Sequence, residues 1–410
     1  MKKFAVFLLC FFCSAPAAFA LGSSLAPPRD PESFAFLYLG DIQIVESAEA
    51  DYAAWEALAR NALSRNPDLA FALQGGDIVE SGIDAAQWEA FFAAADRALG
   101  DLPFFPTNGN HESNFLSGKP ELYLELFELP GNGPAGFLEE FYSFDYGSVH
   151  VLVLNSWIFS GEQNLTEDAL AVLDAWIAAD LASASARWKI AVTHVPIYAV
   201  HSDTAADKAR ERWAPIFEKY GLDLCFVGHQ HVYSRLKPLT DGAEDIVDGV
   251  TYIMGNSGRK FYDSADETLA ARTVYNTANY QIVRVDGGAL TVQSFDAAGA
   301  ELDFAALTPR GERTLTRGAF VADFLPDARL LGYGGGEMGL DDAITNEQAA
   351  TFLWRKAGSP ATDGGEAAVP WARPAWAWAA ARGLFANANP KDIVSRAQAA
   401  RILLLSEVEE

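Results

Sequence analysis

The sequence predicts an α/β protein with a partly parallel sheet and a strand-rich last third. Short apolar runs alternate with helix-period segments from Phe34 to about Phe304. Run after run stops at a polar, often glycine-bearing turn: "LYLGD", "ALQGGD", "FPTNGNH", "VLVLNS", "IAVTH" and "CFVGHQH". Finally, "TYIMG", "YQIVRV" and "LTVQSF" follow one another without long helices between them.

Taken in order, "AFLYL" opens as a buried strand. "AEADYAAWEALARNALSRN" places Tyr52, Trp55, Leu58, Ala59 and Ala62 at helical spacing, and Pro67 stops the run. "LAFAL" is a short strand. "DAAQWEAFFAAADRAL" is a helix with Asp84 as N-cap and Trp88, Phe91, Phe92 and Ala95 on one face. "FFPT", "VHVLVLN", "KIAVT" and "DLCFV" are further strands, with helices expected near 166–182 and 205–219.

A chain of 410 residues, 50% of them hydrophobic, can hold one large domain and a smaller one. Residues 1–20 belong to neither. Lys2 and Lys3, the apolar "FAVFLLCFFC" and the small residues of "APAAFA" describe a secretory signal peptide cleaved after Ala20. That run is short for a membrane span, and no other stretch is long and apolar enough, so no transmembrane segment is expected in the mature chain. Cleavage removes Cys10 and Cys13 and leaves Cys225, which excludes an intrachain disulfide despite export. Cys225 lies in "LDLCFV" and is expected to be a buried small hydrophobe. The net charge of −25 becomes −27 when Lys2 and Lys3 leave. Such a surface repels polyanions, so no nucleic acid is expected as the main partner.

Only six histidines are present, and four of them, His111, His194, His229 and His231, stand at predicted strand ends. Open α/β sheets bind ligands outside the carboxyl ends of their strands. Turn chemistry accounts for Gly and Asn there, but not for this concentration of His and Asp.

The ordered set "GDIQ" (40–43), "GGD" (75–77), "GNHE" (109–112), "THVP" (193–196) and "GHQH" (228–231) resembles the calcineurin-like metallophosphoesterases, and within them the purple acid phosphatase branch. "FYSFDYGSVHVLVLNS", "RWKIAVTHVPIYA" and "GHQHVYSRLKPL" extend the likeness over nearly all of 34–305. It implies a four-layer α/β/β/α sandwich over 34–305 and two divalent metal ions, with Fe, Mn, Zn and Ca all open. Phosphoester hydrolysis needs a nucleophile made from water and positive charge for the phosphoryl oxygens, and two metals about 3.5–4 Å apart supply both. The resemblance assigns Asp41, Asp77 and His231 to the first metal. Asp77, Asn110, His194 and His229 fall to the second, with Asp77 bridging. His111 becomes the proton donor to the leaving oxygen, and Asn110, His111, Tyr198 and His201 are the expected substrate contacts.

Gln43 stands where many members of the superfamily place a histidine. Its amide oxygen is a candidate ligand for the first metal, with pocket lining as the alternative. Purple acid phosphatases have glycine there and a tyrosine three residues after the bridging aspartate. Here that position is Glu80, a weaker candidate ligand, so no metal-bound tyrosinate is expected. His150 in "SVHVLVL" reads as a satisfied strand histidine, and Asn155 as a turn former.

After about residue 320 the character changes. "DDAITNEQAATFLW" (341–354) and "KDIVSRAQAARILL" (391–404) align at an offset of fifty residues, pairing Asp342 with Asp392, Ile344 with Val394 and Thr345 with Ser395. Thr345 with Gln348, and Ser395 with Gln398, form capping boxes that open helices. The pattern over 320–406 resembles S-layer homology (SLH) repeats, in about two copies. That implies a small α-helical domain whose partner is bacterial cell-wall polysaccharide. The whole chain therefore reads as a secreted, cell-wall-attached, metal-dependent hydrolase of phosphomonoesters. A phosphodiesterase or nucleotide hydrolase of the same fold is the alternative, as is a catalytically dead wall-binding protein.

Overall fold

The computed structural model describes residues 25–307 except 115, 246, 247 and 287, together with 309, 344–360, 372–382, 384 and 394. The signal peptide expected over 1–20 and most of the second tail repeat lie outside these residues.

The chain runs through β1 (Ser33–Leu39), α1 (Ala48–Arg65), β2 (Leu69–Gln74), α2 (Ala85–Leu99), β3 (Phe104–Pro106) and α3 (Glu121–Leu126). It continues through β4 (Phe141–Tyr146), β5 (Val149–Leu154), α4 (Glu167–Ser183), β6 (Trp188–Thr193), α5 (Thr204–Lys219) and β7 (Leu224–Val227). Then come β8 (Tyr233–Leu236), β9 (Leu239–Thr240), β10 (Ala243–Glu244), β11 (Thr251–Met254) and β12 (Ala270–Val274). The antiparallel run β13 (Asn279–Asp286), β14 (Ala289–Asp296) and β15 (Glu301–Leu307) closes the large domain. In the tail are α6 (Asn346–Lys356) and α7 (Arg373–Ala381).

Two sheets result. The first has the order β15-β14-β13-β1-β2-β3, parallel across β1, β2 and β3. The second has the order β12-β8-β11-β7-β6-β5-β4, parallel across β5, β6, β7 and β11. They pack face to face through aromatic rings. Tyr38 of β1 stacks on Phe226 of β7 at 4.2 Å, and Phe105 of β3 on Phe144 of β4 at 4.2 Å. One continuous core joins α1 and α2 to the first sheet and the inner face of the second. A separate core holds α4 and α5 against the outer face, where Leu173, Ile177, Trp213 and Phe217 meet Leu152, Ala191 and Cys225. This is the expected four-layer sandwich. Trp55, Trp88, Trp188 and Trp213 are all fully buried, and truncating such a side chain to Ala costs about 3–5 kcal/mol.

Local signals account for the helix ends. Asp84 accepts from Ala86 N–H at 3.0 Å, as its N-cap position predicts, and α1 ends at Arg65, just before Pro67. Cys225 is buried, as expected of a small hydrophobe. The strands β4, β8, β9, β10, β12 and β15 were not anticipated. All but β8 lie at sheet edges, and β8 and β12 are short and polar, so a period-2 pattern hardly develops. In the tail, α6 starts one residue after Thr345, whose N–H donates to Gln348 Oε1 at 3.0 Å. Val394 N–H donates to the carbonyl of Ile344 at 2.8 Å, which joins the two positions that the repeat pairs. Among the described residues no helix is long and apolar enough to cross a membrane.

Candidate metal centre

The loops that follow β1, β2, β3, β6, β7 and β11, all parallel strands, converge at one end of the sandwich. They carry Asp41, Asp77, Asn110, His194, His229 with His231, and Asn256 respectively. Two groups form there: Asp77, His194 and His229, and Asp41, Asp77 and His231. Within each, one side-chain donor atom per residue lies within 4.8 Å of the others. Asp77 belongs to both.

The backbone at this rim is unusual. Gln43, Asp77, His229 and His231 have φ of 25°, 52°, 71° and 33°, the left-handed region that non-glycine residues avoid. Strain of this kind persists only where the surroundings over-determine it. Here Asp41 does so for His229, accepting its N–H at 2.8 and 3.0 Å, and Glu112 does so for Asp77, accepting its N–H at 2.8 Å. Glu112 also accepts from Ile78, Val79 and Gly109, which pins the "GGD" and "GNHE" loops together. The carboxylates leave no room for side chains beside them. A Cβ on Gly228 would fall 2.1 Å from Asp41 Oδ1, and one on Gly109 2.2 Å from Asp77 Oδ1.

The donor set tests whether a metal fits. His194 Nδ1–H donates to the carbonyl of Gly75 at 2.8 Å, so a neutral ring presents its Nε2 lone pair to the centre. His229 Nε2–H donates to Asp203 Oδ2 at 2.9 Å, so its Nδ1 does the same. Around His194 Nε2 then lie Asn110 Oδ1 at 3.0 Å, His229 Nδ1 at 3.1 Å and Asp77 Oδ2 at 3.3 Å. Four acceptors facing one another need a cation between them. Electrostatics agrees. Burial works against charge on His194, yet Asp77 and Asp41 outweigh it and raise the ring to about 10. Burial pushes Asp41 up and the nearby Asp77 adds to that, with His194 opposing. For Asp77, burial is outweighed by His194, His111 and His229, which hold it low. A field that would attract a proton so strongly suits a metal ion, whose binding releases that proton.

Residues 34–233 match the family of calcineurin-like phosphoesterases. The chain is 25% identical over 208 residues to purple acid phosphatase 18 of Arabidopsis thaliana, covering 47% of this chain and 46% of that protein. It is 29% identical over 196 residues to an uncharacterised Mycobacterium tuberculosis protein, covering 42% of this chain and 34% of that one. A purple acid phosphatase from yellow lupin (Lupinus luteus) seeds shares the fold with a TM-score of 0.56 at 17% identity, over 70% of this chain and 56% of that one. The chain thus spans about half or less of the length of the curated relatives it matches.

Within the matched segment, the remaining sequence candidates divide. His111 lies at the centre. Its Nδ1–H donates to the carbonyl of Glu80 at 2.7 Å, and its Nε2 accepts from Gln43 Nε2–H at 2.6 Å. The other end of the Gln43 amide, Oε1, accepts from Lys260 Nζ at 2.9 Å. The Glu80 side chain is 44% exposed, with its carboxylate 3.7 Å from His111 Nδ1. His201 is set one ring back from the ligands: its ring and that of His231 both meet the Tyr262 ring edge-on, at 4.9 and 5.2 Å. Tyr198 turns away. Its hydroxyl accepts from Gly242 N–H at 3.0 Å and its ring packs on Tyr252, in a cavity shared with Arg210 and Glu218.

Outside the domain's signature tetrapeptides, four residues complete the centre. Asp203 splits its carboxylate: Oδ2 holds His229, while Oδ1 caps α5 by accepting from Ala205 and Ala206 N–H. The hydrogen bond from His229, aided by those backbone N–H groups, lowers Asp203 to about 2. Asn256 Oδ1 lies 3.4 Å from His231 Nδ1, and Lys260 and Tyr262 follow on the same loop. The only sequence signals for these four are their places after the strand-like "TYIMG" and at the start of the helix near 205–219.

Proposed function

We propose that this chain is a metal-dependent phosphoric ester hydrolase acting on phosphomonoesters at a dinuclear site. The observation that carries the reading is the convergence of Asp77, Asn110, His194 and His229 as acceptors around one point, with Asp77 shared by Asp41 and His231. Asp41, Asp77 and His231 would hold one ion, and Asp77, Asn110, His194 and His229 the other. When bound, the two ions supply a nucleophile from water at neutral pH and positive charge for the phosphoryl oxygens. Only two carboxylates, Asp41 and Asp77, offset two divalent ions, which leaves the centre able to attract an anion.

The chain's own residues do the rest. Glu112 and Gly75 fix the ligand loops and the His194 tautomer before substrate arrives. His111, held at Nδ1 by the Glu80 carbonyl, keeps Nε2 toward the centre; once Gln43 releases it and Nε2 takes up a proton from solvent, the imidazolium is placed to hand that proton to the leaving oxygen. Metal analysis combined with a chromogenic phosphoester assay tests the reading. Two bound equivalents and metal-dependent turnover are expected, and inertness at full metal loading rejects it. General acid help is worth about 10²–10⁴-fold for a poor leaving group. His111→Ala should therefore slow alkyl phosphates by that range and p-nitrophenyl phosphate much less, with metal content unchanged. Equal losses on both would remove the donor role.

For the whole protein we infer export and attachment to the bacterial wall, with 34–305 catalytic and 320–406 binding wall polysaccharide. The support is the signal-like start, the fifty-residue repeat and the helix that opens at Thr345. Sedimentation with purified wall separates the full chain from one ending at 307, and equal binding by both rejects the attachment.

A further inference from the structure

We propose that Lys260 recognises the doubly charged phosphoryl group and so makes the centre favour monoesters over diesters, a role that presupposes the hydrolytic reading above. The lysine is held on a short loop after β11 that is tied to the centre at three points. The carbonyl of Lys260 accepts from Asn256 Nδ2–H at 2.8 Å, and Asn256 Oδ1 faces His231. Two residues on, Tyr262 N–H donates to the carbonyl of His231 at 3.1 Å. The ammonium itself donates to Gln43 Oε1 at 2.9 Å, and Gln43 in turn donates to His111. Lys260 is therefore linked through the Gln43 amide to the residue expected to face the leaving group, on a loop anchored to His231.

Charge makes the position informative. Among the described residues no carboxylate pairs with Lys260, in a chain with 55 acidic side chains against 30 Lys and Arg. Its neighbour Arg259 is neutralised by Glu46 at 2.9 Å and Asp51 at 3.2 Å. An ammonium has three N–H donors, and the Gln43 bond uses one. Two remain for an anion, on a half-buried side chain where water screens less than in the open. A phosphomonoester dianion brings three terminal oxygens that share two charges, whereas a diester brings two that share one. Hydrogen bonds between ionised partners are roughly twice as strong as neutral ones, so a fixed ammonium discriminates between these esters more than a neutral donor does.

The test compares the metal-loaded wild type with Lys260→Met and Lys260→Arg, on p-nitrophenyl phosphate and bis(p-nitrophenyl) phosphate. Inorganic phosphate binding is measured alongside by calorimetry. Lys260→Met should raise KM for the monoester and Kd for phosphate about tenfold or more, affect the diester severalfold less, and leave metal content unchanged. Lys260→Arg should recover most of the loss. Equal losses on both esters, an unchanged phosphate Kd, or loss of metal overturns the proposal. If the wild type hydrolyses neither ester, the hydrolytic reading falls. The phosphate Kd of the two proteins still judges Lys260, and equal values reject it.

Discussion

His229 and His150 are both hydrogen-bonded to carboxylates, yet they stand in different chemistry. His229 lies beyond the end of β7 with φ 71°, gives Nε2–H to Asp203, and keeps Nδ1 open toward His194, Asn110 and Asp77. His150 lies within β5, with Nδ1 on Asp145 at 2.7 Å and Nε2 on Asp180 at 2.8 Å. One carboxylate fixes a tautomer and leaves a lone pair to ligate. Two carboxylates consume both nitrogens and hold a proton. A histidine's role is thus set by how many of its nitrogens the fold leaves unspent, and the same comparison separates the rim of the sandwich from its β4–β5 edge.

The largest expected effect falls on the residue that both ligand groups share. Asp77→Ala should remove both metal equivalents and lower kcat/KM by at least about 10³-fold, the order seen when a key electrostatic group leaves a site. His150→Gln should keep full metal content by elemental analysis. Metal loss from His150→Gln would break the contrast.

Next in size is Asp203→Asn. Asparagine caps helices about as well as aspartate, so α5 should keep its N-cap while His229 loses its anionic partner. Metal affinity should fall about 10–100-fold in a titration, with thermal unfolding of the metal-free protein nearly unchanged. A large drop in Tm with unchanged affinity would make Asp203 a cap alone.

The smallest effect concerns stability. Burial opposes charge on His150, but the hydrogen bonds and charges of Asp180 and Asp145 outweigh it, so its folded-state pKa is raised. A raised value means that the ion pair stabilises the fold fully below the unfolded value of about 6.5, and fades as pH rises through the folded one. His150→Gln should therefore cost about 2 kcal/mol near pH 5.5, judged from charged hydrogen bonds, and progressively less in alkaline solution. A cost independent of pH would mean that the ring matters only for packing.

Most of the residues gathered at the rim were legible in sequence because the signal is local. Asp41, Asp77, Asn110, His194, His229 and His231 each follow a strand-like run by a few residues, and strand direction alone carries such residues to one rim. The histidine at 150 was legible for the opposite reason, since it falls inside such a run. The assignment of Tyr198 and His201 to substrate rested on loop position. The fold sends the Tyr198 hydroxyl to Gly242 and sets His201 behind Tyr262. The weakly patterned strands β4, β8, β12 and β15 became strands by pairing with stronger neighbours.

By itself, then, the sequence determined the alternation of strands and helices, the caps at Asp84 and Thr345, and the Asp, Asn and His residues at strand ends. All of these depend on neighbours a few positions away. Only the tertiary structure decided which partners those residues have. Asp203 reaches His229 across 26 residues, Lys260 reaches Gln43 across 217, and His194 reaches Gly75 across 119. Hydrogen bonds of that span exist only after two sheets have stacked and their loops have met, and no periodicity in the chain records them.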